Sequence, residues 1–364
     1  MKVNSIIIVI LLSLFAVLFS FTGICQTVEE EKLFPIKQKG KEGFIDISGH
    51  IIIKPQFDEV RYFSEGLAPV KSGGKYGFID KNGKTVISPQ FDWFGHFSEG
   101  LACVRIGDWT NGKYGYIDKT GEFVINPQFD YANNYKEGLA SIRIGHFTDG
   151  KYGFINKSGK IVINPVFDYA VSFSDGLACV EIDKKWGYIN TTGEIVIEPN
   201  SDCLWGFYKG FTKVKTDNNT GIINKNGEFV INPQFDDAYL LSDELVCVKI
   251  NEKWGFTDMT GEFVVSPQFD ETFGNFSEEG LLCVRIGGEF GSGKYGFVDK
   301  NGTYIINPQY DYAECFYHGL AAVVINNQFH YIDKDGNFVW TSNEIPFVYE
   351  VSYKSLKDEK QKHY

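Results

Sequence analysis

Eight times along the 364-residue chain, a glycine is followed twelve residues later by a proline. The pairs are Gly43 and Pro55, Gly77 and Pro89, Gly115 and Pro127, Gly153 and Pro165, Gly187 and Pro199, Gly221 and Pro233, Gly255 and Pro267, and Gly296 and Pro308. Successive glycines lie 34, 38, 38, 34, 34, 34 and 41 residues apart. A recurrence of this size means a repeat array, in which each unit buries its apolar face against the next. Repeated residues then build scaffold, and any activity must sit where the units differ.

One unit shows what is repeated. Leu67 to Lys71 is a short apolar run that stops at Ser72-Gly73-Gly74. Lys75 to Asp80 follows, and Asp80-Lys81-Asn82-Gly83 has the residues of a type I turn closed by a left-handed glycine. The next strand, Thr85 to Ser88, ends at Pro89, which cannot donate to a ladder and marks an edge or exit. The unit is therefore predicted to be a three-stranded antiparallel meander of about 34 residues with a return through Phe91 to Glu99. Outgoing strands such as Phe123-Val124-Ile125 and Ile161-Val162-Ile163 carry three apolar residues in a row, which predicts burial on both faces. A helix-pair repeat of the same period fails, because a Gly or Pro breaks the chain too often for helices.

The central strand carries an aromatic directly before its glycine, as in Trp186-Gly187, Trp254-Gly255 and Tyr76-Gly77. Such a glycine leaves a gap that a neighbouring ring can cover. With Lys185-Trp186-Gly187-Tyr188-Ile189 and Pro89-Gln90-Phe91-Asp92, the chain resembles the WG-repeat (KWG-type β-repeat) proteins of bacteria over roughly residues 33 to 341. That resemblance implies an all-β repeat scaffold without a shared active site. The sixth unit departs from the pattern at Thr220-Gly221, the fifth at Pro199-Asn200-Ser201-Asp202, and the ninth has His330 in place of the glycine. About nine units result. Three strands in 34 residues suit a four-stranded propeller blade poorly, and the uneven intervals do not suggest equal sectors, so an open solenoid or spiral is expected over a closed propeller.

Residues 1–25 stand apart. Lys2 precedes the apolar stretch Ile6 to Phe21, then Gly23 and Cys25, which is the order of a secretory signal peptide cleaved after Cys25. An uncleaved anchor is the alternative, although the stretch is short for a span. A lipoprotein cysteine is disfavoured by the bulky Ile24. The array is assigned residues 26–341, with 342–364 as a cap and loose charged tail in which Ile345 to Tyr353 is read as a capping strand. The net charge of −12 argues against nucleic acid and anionic membranes as partners. Cys103, Cys179, Cys247 and Cys283 share a slot that elsewhere holds Pro69, Ser141 or Lys213, so a disulfide framework is not expected; only Cys247 and Cys283 fall in neighbouring units, where a single bridge is conceivable. The cysteine spacings do not form a zinc site.

The repeated aspartates Asp58, Asp92, Asp130, Asp168, Asp202, Asp236, Asp270 and Asp311 offer about one carboxylate per unit. A calcium loop needs several oxygens in one segment, so they are read as turn or cap residues bonding a backbone N–H two or three residues on. No phosphate loop, nucleophile elbow or zinc-binding helix motif occurs, and no cofactor is expected. Spacing alone leaves open a pair of carboxylates for glycoside hydrolysis. The chain is read as non-enzymatic.

Binding candidates sit where length varies. Three units insert longer hairpin tips after Arg-Ile-Gly: Arg105 with Trp109, Arg143 with Phe147, and Arg285 with Phe290. Trp109 and Phe147 lie in adjacent units. Exposed aromatics flanked by Asp, Asn and Thr suit sugar stacking or anchorage of a protein; a ring folded back on its own hairpin is the competing reading. A second variable slot, after the repeated aspartate, holds Trp93, Tyr131 and Tyr169 in the same region. The sequence thus predicts an exported scaffold that binds a protein or glycan at the cell envelope, against the alternative of a structural spacer.

Overall fold

The computed structural model describes residues 32–201, 205–288 and 292–350. The signal-peptide assignment, Asp202 and the charged end of the chain lie outside them. Among the described residues the strands form nine small antiparallel sheets, each made of strands consecutive in sequence. We number these blades 1 (34–57), 2 (59–91), 3 (93–129), 4 (131–167), 5 (169–201), 6 (211–235), 7 (237–269), 8 (271–310) and 9 (312–342).

Seven blades have four strands rather than the three expected. The additional strand is only two to four residues long, as in Glu59–Val60 and Trp93–Phe94, within the stretch read as a return. Two residues carry no periodicity, so the strand is invisible in the sequence although it pairs in register, Glu59 with Lys71 and Val60 with Val70.

The blades close into a ring, which corrects the expected open solenoid. The turn glycine of each blade abuts the outgoing strand of the blade before it: Gly83 on Ile53, Gly121 on Ile87, Gly159 on Ile125, and onward to Gly336 on Ile306. Gly49 of blade 1 makes the corresponding contact with Val339 of blade 9. At this seam Phe34, Ile36 and Ile45 join one apolar core with blades 8 and 9, Phe34 meets Tyr331 edge-on at 5.6 Å, and the Tyr331 hydroxyl donates to the Pro35 carbonyl at 2.8 Å. The structure is a nine-bladed β-propeller. Uneven intervals are compatible with equal sectors because the extra residues lie in hairpin tips beyond the strands.

The segment read as a capping strand turns helical at 347–350, just after Pro346, whose missing N–H costs nothing in a first turn. It bolts the seam. Tyr349 is buried beside Tyr62 and Tyr331, and the Phe347 N–H donates to the buried carboxylate of Glu42 at 2.6 Å.

The twelve-residue interval has a direct physical cause. In blade 2, Tyr76 pairs with Phe91 and Phe78 with Ile87, so four residues of the outgoing strand span two of the central one. The surplus bulges towards Gly77, where a Cβ would stand 2.7 Å from Pro89 N and 2.8 Å from Ser88 C. At all eight pairs the proline nitrogen would lie 2.6–2.9 Å from such a carbon. The glycine's missing side chain is thus filled by backbone rather than covered by a ring. Blade 9 has neither glycine nor proline and supplies the control: His330 pairs directly with Thr341 and no double bulge forms.

Because the outgoing strand is the sheet edge, its three apolar residues are not buried on both faces as expected. Phe123 and Val124 are exposed and Ile125 is buried. Pro and the bulge blunt this edge against pairing with other chains. The strands with continuous burial are instead those just before the central strand, such as Ala102–Ile106, buried from Ala102 to Arg105. The shared cysteine slot lies on them. Cys103, Cys179, Cys247 and Cys283 are buried and unbridged, which settles the conceivable Cys247 bridge in the negative: its thiol lies 3.2 Å from the Thr272 hydroxyl.

The repeated aspartate reaches much farther than two or three residues. Asp92 accepts from the Lys75 ammonium of its own blade at 2.5 Å and from the Gly107 N–H of the next at 2.8 Å. Asp58, Asp130, Asp270 and Asp311 repeat both bonds. Each carboxylate therefore staples two blades. Such half-exposed ion pairs contribute at most about 1 kcal/mol each, so they set the angle between blades more than the total stability.

These contacts can be tested by mutation and by pH. Gly115→Ala should destabilise the chain by about 3 kcal/mol in urea unfolding, the upper range for overpacking, because the new carbon meets backbone that cannot swing aside. Gly206→Ala, which meets only Ser174 Cβ at 3.9 Å, should change stability by less than about 0.5 kcal/mol. Separately, the lysine bonds hold the carboxyls of Asp58, Asp92 and Asp168 below the ordinary aspartate value. Depressed folded values favour the folded state at pH above the unfolded aspartate range, and that stability is lost as pH falls through it. Urea midpoints should thus drop below about pH 4, less steeply in Lys75→Met.

Candidate functional site

The two hairpin tips of blades 3 and 4 are built alike. Arg105 lies on the strand Ala102–Ile106, cross-strand from both Trp93 and Tyr114, and is 3% exposed. Its Nε donates to the Gly107 carbonyl at 3.1 Å. The tip itself is held by Asp108, whose carboxylate accepts the Thr110 and Asn111 N–H groups, bonds that keep the carboxyl below its usual range. This local cap returns Trp109 over its own strand, and its ring centre sits 3.9 Å from the Arg105 guanidinium carbon. In blade 4, Arg143 lies 5.5 Å below Phe147.

The rings are therefore anchored on one side and open on the other. Trp109 is 77% exposed and Phe147 79% exposed. The fold-back reading and the exposed reading each describe one face. A cation under the ring contributes about 0.5–1 kcal/mol at an exposed site, enough to orient the ring and too little to hide it. Beneath them, Nη1 of Arg105 and Nε of Arg143 are buried with no hydrogen-bond partner among the described residues.

Arg285 in blade 8 behaves differently. It is 2% exposed, and its guanidinium donates to the Glu271 carboxylate at 2.9 Å and to the Gly288 carbonyl at 2.6 Å. It is absorbed in holding its tip. Phe290 lies outside the described residues.

Trp93 and Tyr131 are half-buried and Tyr169 is 40% exposed. They alternate with the aromatics that precede the repeat glycines in a continuous ladder: Trp93 to Tyr114 at 5.5 Å, Tyr114 to Tyr131 at 5.6 Å, Tyr131 to Tyr152 at 6.1 Å, Tyr152 to Tyr169 at 4.8 Å, and Tyr169 to Trp186 at 5.7 Å. The ladder runs from blade to blade, and burial raises the Tyr131 hydroxyl to about 12. These rings pack the blades together. Sequence inspection missed Trp205, 57% exposed with the Lys213 ammonium 4.7 Å from its ring centre. Its signal was the departure at Thr220.

Comparison with known proteins agrees with this construction. The WG containing repeat matches residues 43–76, 76–108, 114–146, 152–186, 186–219, 221–254, 254–290 and 295–329. The molecule is a repeat β-propeller scaffold, and the chain belongs to the WG-repeat family. No curated protein matches it. Among solved structures, one described as the eukaryotic initiation factor is similar over 86% of this chain and 96% of its own, at 12% identity and a TM-score of 0.61. A Kluyveromyces lactis Hsv2 with one loop replaced by a Gly-Ser linker covers 78% of this chain and 96% of its own, at 8% identity and 0.41. The extracellular domain of a putative one-component system from B. thetaiotaomicron covers 85% of this chain and 56% of its own, at 11% and 0.33. The first likeness supports the fold alone, and the other two add nothing to it.

The two aromatic sets should separate on mutation. Tyr152→Ala, which removes a buried ladder ring, should cost about 3–5 kcal/mol in chemical unfolding. Trp109→Ala should cost less than about 0.5 kcal/mol beyond its cation contact.

Proposed function

We propose that the chain is a non-enzymatic scaffold, exported to the cell envelope, that binds a protein or glycan partner on the open faces of Trp109 and Phe147. The observation that carries this reading is the pair of rings, each about four-fifths exposed, each backed by a buried arginine, on adjacent blades. Large exposed apolar rings are unfavourable in water and find use as anchors in interfaces or as platforms for sugar rings. The net charge of −12 disfavours nucleic acid as the partner, and the apolar stretch Ile6 to Phe21 supports export rather than insertion of the propeller in the membrane.

The test is the double variant Trp109→Ala, Phe147→Ala. Its thermal unfolding should stay within about 2 °C of the parent, consistent with a sub-kcal effect in a chain of this size. Retention on envelope extract, or on at least one ligand of an immobilised glycan panel, should fall at least tenfold. Unchanged retention on all of them would remove the tip rings as the binding site and favour the spacer reading for blades 3 and 4.

A further inference from the structure

The pattern fails at two neighbouring positions of blade 6. The residue before the repeat glycine is aromatic in blades 2 to 5, 7 and 8, and Phe329 holds the same place in blade 9, but Thr220 stands there in blade 6. Blade 1 has Glu42 at that position, with its carboxylate bonded by the Val60 and Phe347 N–H groups. Among the described residues nothing comparable fills blade 6. One residue earlier, the stapling lysine is replaced by Asn219.

Both positions border a hollow. Beside Thr220 lies a cavity of about 160 Å³, lined by Trp205, Lys213, Lys215, Thr220, Asp236 and Asp237; the corresponding place between blades 7 and 8 holds a larger one, of about 710 Å³, with Trp254 in its wall. Without the lysine, Asp236 keeps the staple's backbone half, accepting the Asn251 N–H at 2.8 Å, while its other oxygen has no ammonium partner among the described residues. Asp237 is paired with Lys213 at 2.8 Å. A second cavity, of about 460 Å³, shares Trp205 and Lys213 and continues past Tyr208 and Tyr239. Trp205 thus projects between two adjoining hollows with more than half its surface free.

The lining selects the occupant. A void of this volume is about what one six-membered ring needs, since a cavity near 150 Å³ takes up benzene. Of the six described lining side chains five are polar, and burying a bare hydrocarbon against them would leave their hydrogen bonds unmade. A metal cation is disfavoured by the two ammonium groups facing it. Carboxylate acceptors, ammonium donors and a threonine hydroxyl around one indole suit a ring that carries hydroxyls on its rim and C–H groups on its face. We propose that the cavity in blade 6 is a binding site for a single pyranose unit of a glycan, stacked on Trp205 and seated where the other blades place their own aromatic side chain. The site is independent of the tip rings on blades 3 and 4.

The experiment titrates the full chain with the methyl pyranosides of glucose, galactose, mannose and N-acetylglucosamine, and with phenol, by calorimetry and ligand-observed NMR. At least one glycoside should bind saturably. Thr220→Tyr restores the residue type that neighbouring blades carry and should abolish that binding, by at least tenfold in Kd. Trp205→Ala, at an exposed position, should do the same without lowering the unfolding temperature. The double variant Trp109→Ala, Phe147→Ala should bind as the parent does, so failure here is distinguishable from failure at the tips. Absence of binding by every glycoside, preferential binding of phenol, or glycoside affinity unchanged in both Thr220→Tyr and Trp205→Ala would overturn the proposal.

Discussion

The whole propeller depends on one close approach, the proline of each outgoing strand against the glycine of its central strand. Any side chain on that glycine would meet backbone atoms at under 3 Å, so the bulge and the missing Cβ require each other. The bulge bends the outer strand and ends its ladder, while proline removes a donor from the exposed edge. A two-residue surplus inserted at the same place in eight sheets gives each the same shape. Equal shapes are what let nine small sheets meet around a ring with one recurring contact, the turn glycine on the neighbour's outgoing strand.

Around that frame the interactions divide by magnitude. The cores between blades bury large aromatic and branched side chains, each contributing on the order of 1.5–3 kcal/mol, and these dominate stability. The aspartate staples contribute much less, but their two bonds point to different blades and fix how one sits on the next. Hairpin tips lie outside both systems. Blades 3, 4 and 8 therefore accept longer tips without disturbing the ring, and the tips of blades 3 and 4 are free to present Trp109 and Phe147.

Much of this was legible in the chain. The repeat, the Asp-x-x-Gly turn with Gly83 at φ 79°, the edge role of proline and the tips on Arg105 and Arg143 are all local, and local patterns survive in sequence. The errors share a cause. The two-residue strand at Glu59 is too short to have a period, the burial of Phe123-Val124 depended on which strand was outermost, and the partner of Asp92 lies fifteen residues away on another blade. That Trp93, Tyr131 and Tyr169 stack into a ladder between blades was equally out of reach, because a side chain's neighbours across blades cannot be read from its neighbours along the chain.

By itself the sequence determined the unit: an antiparallel β-repeat punctuated by glycine and proline, belonging to the WG-repeat class, with its variation confined to tips and to the departures at Asn219 and Thr220. Those features follow from backbone sterics and hydrogen bonding within about twelve residues of one another. Tertiary structure alone decided that nine units close rather than spiral, that the tip rings are open on one face only, and that a cavity lies beside Thr220. Closure depends on small angles summed around the ring, and a cavity depends on what all its neighbours fail to fill; neither quantity is held in any single segment.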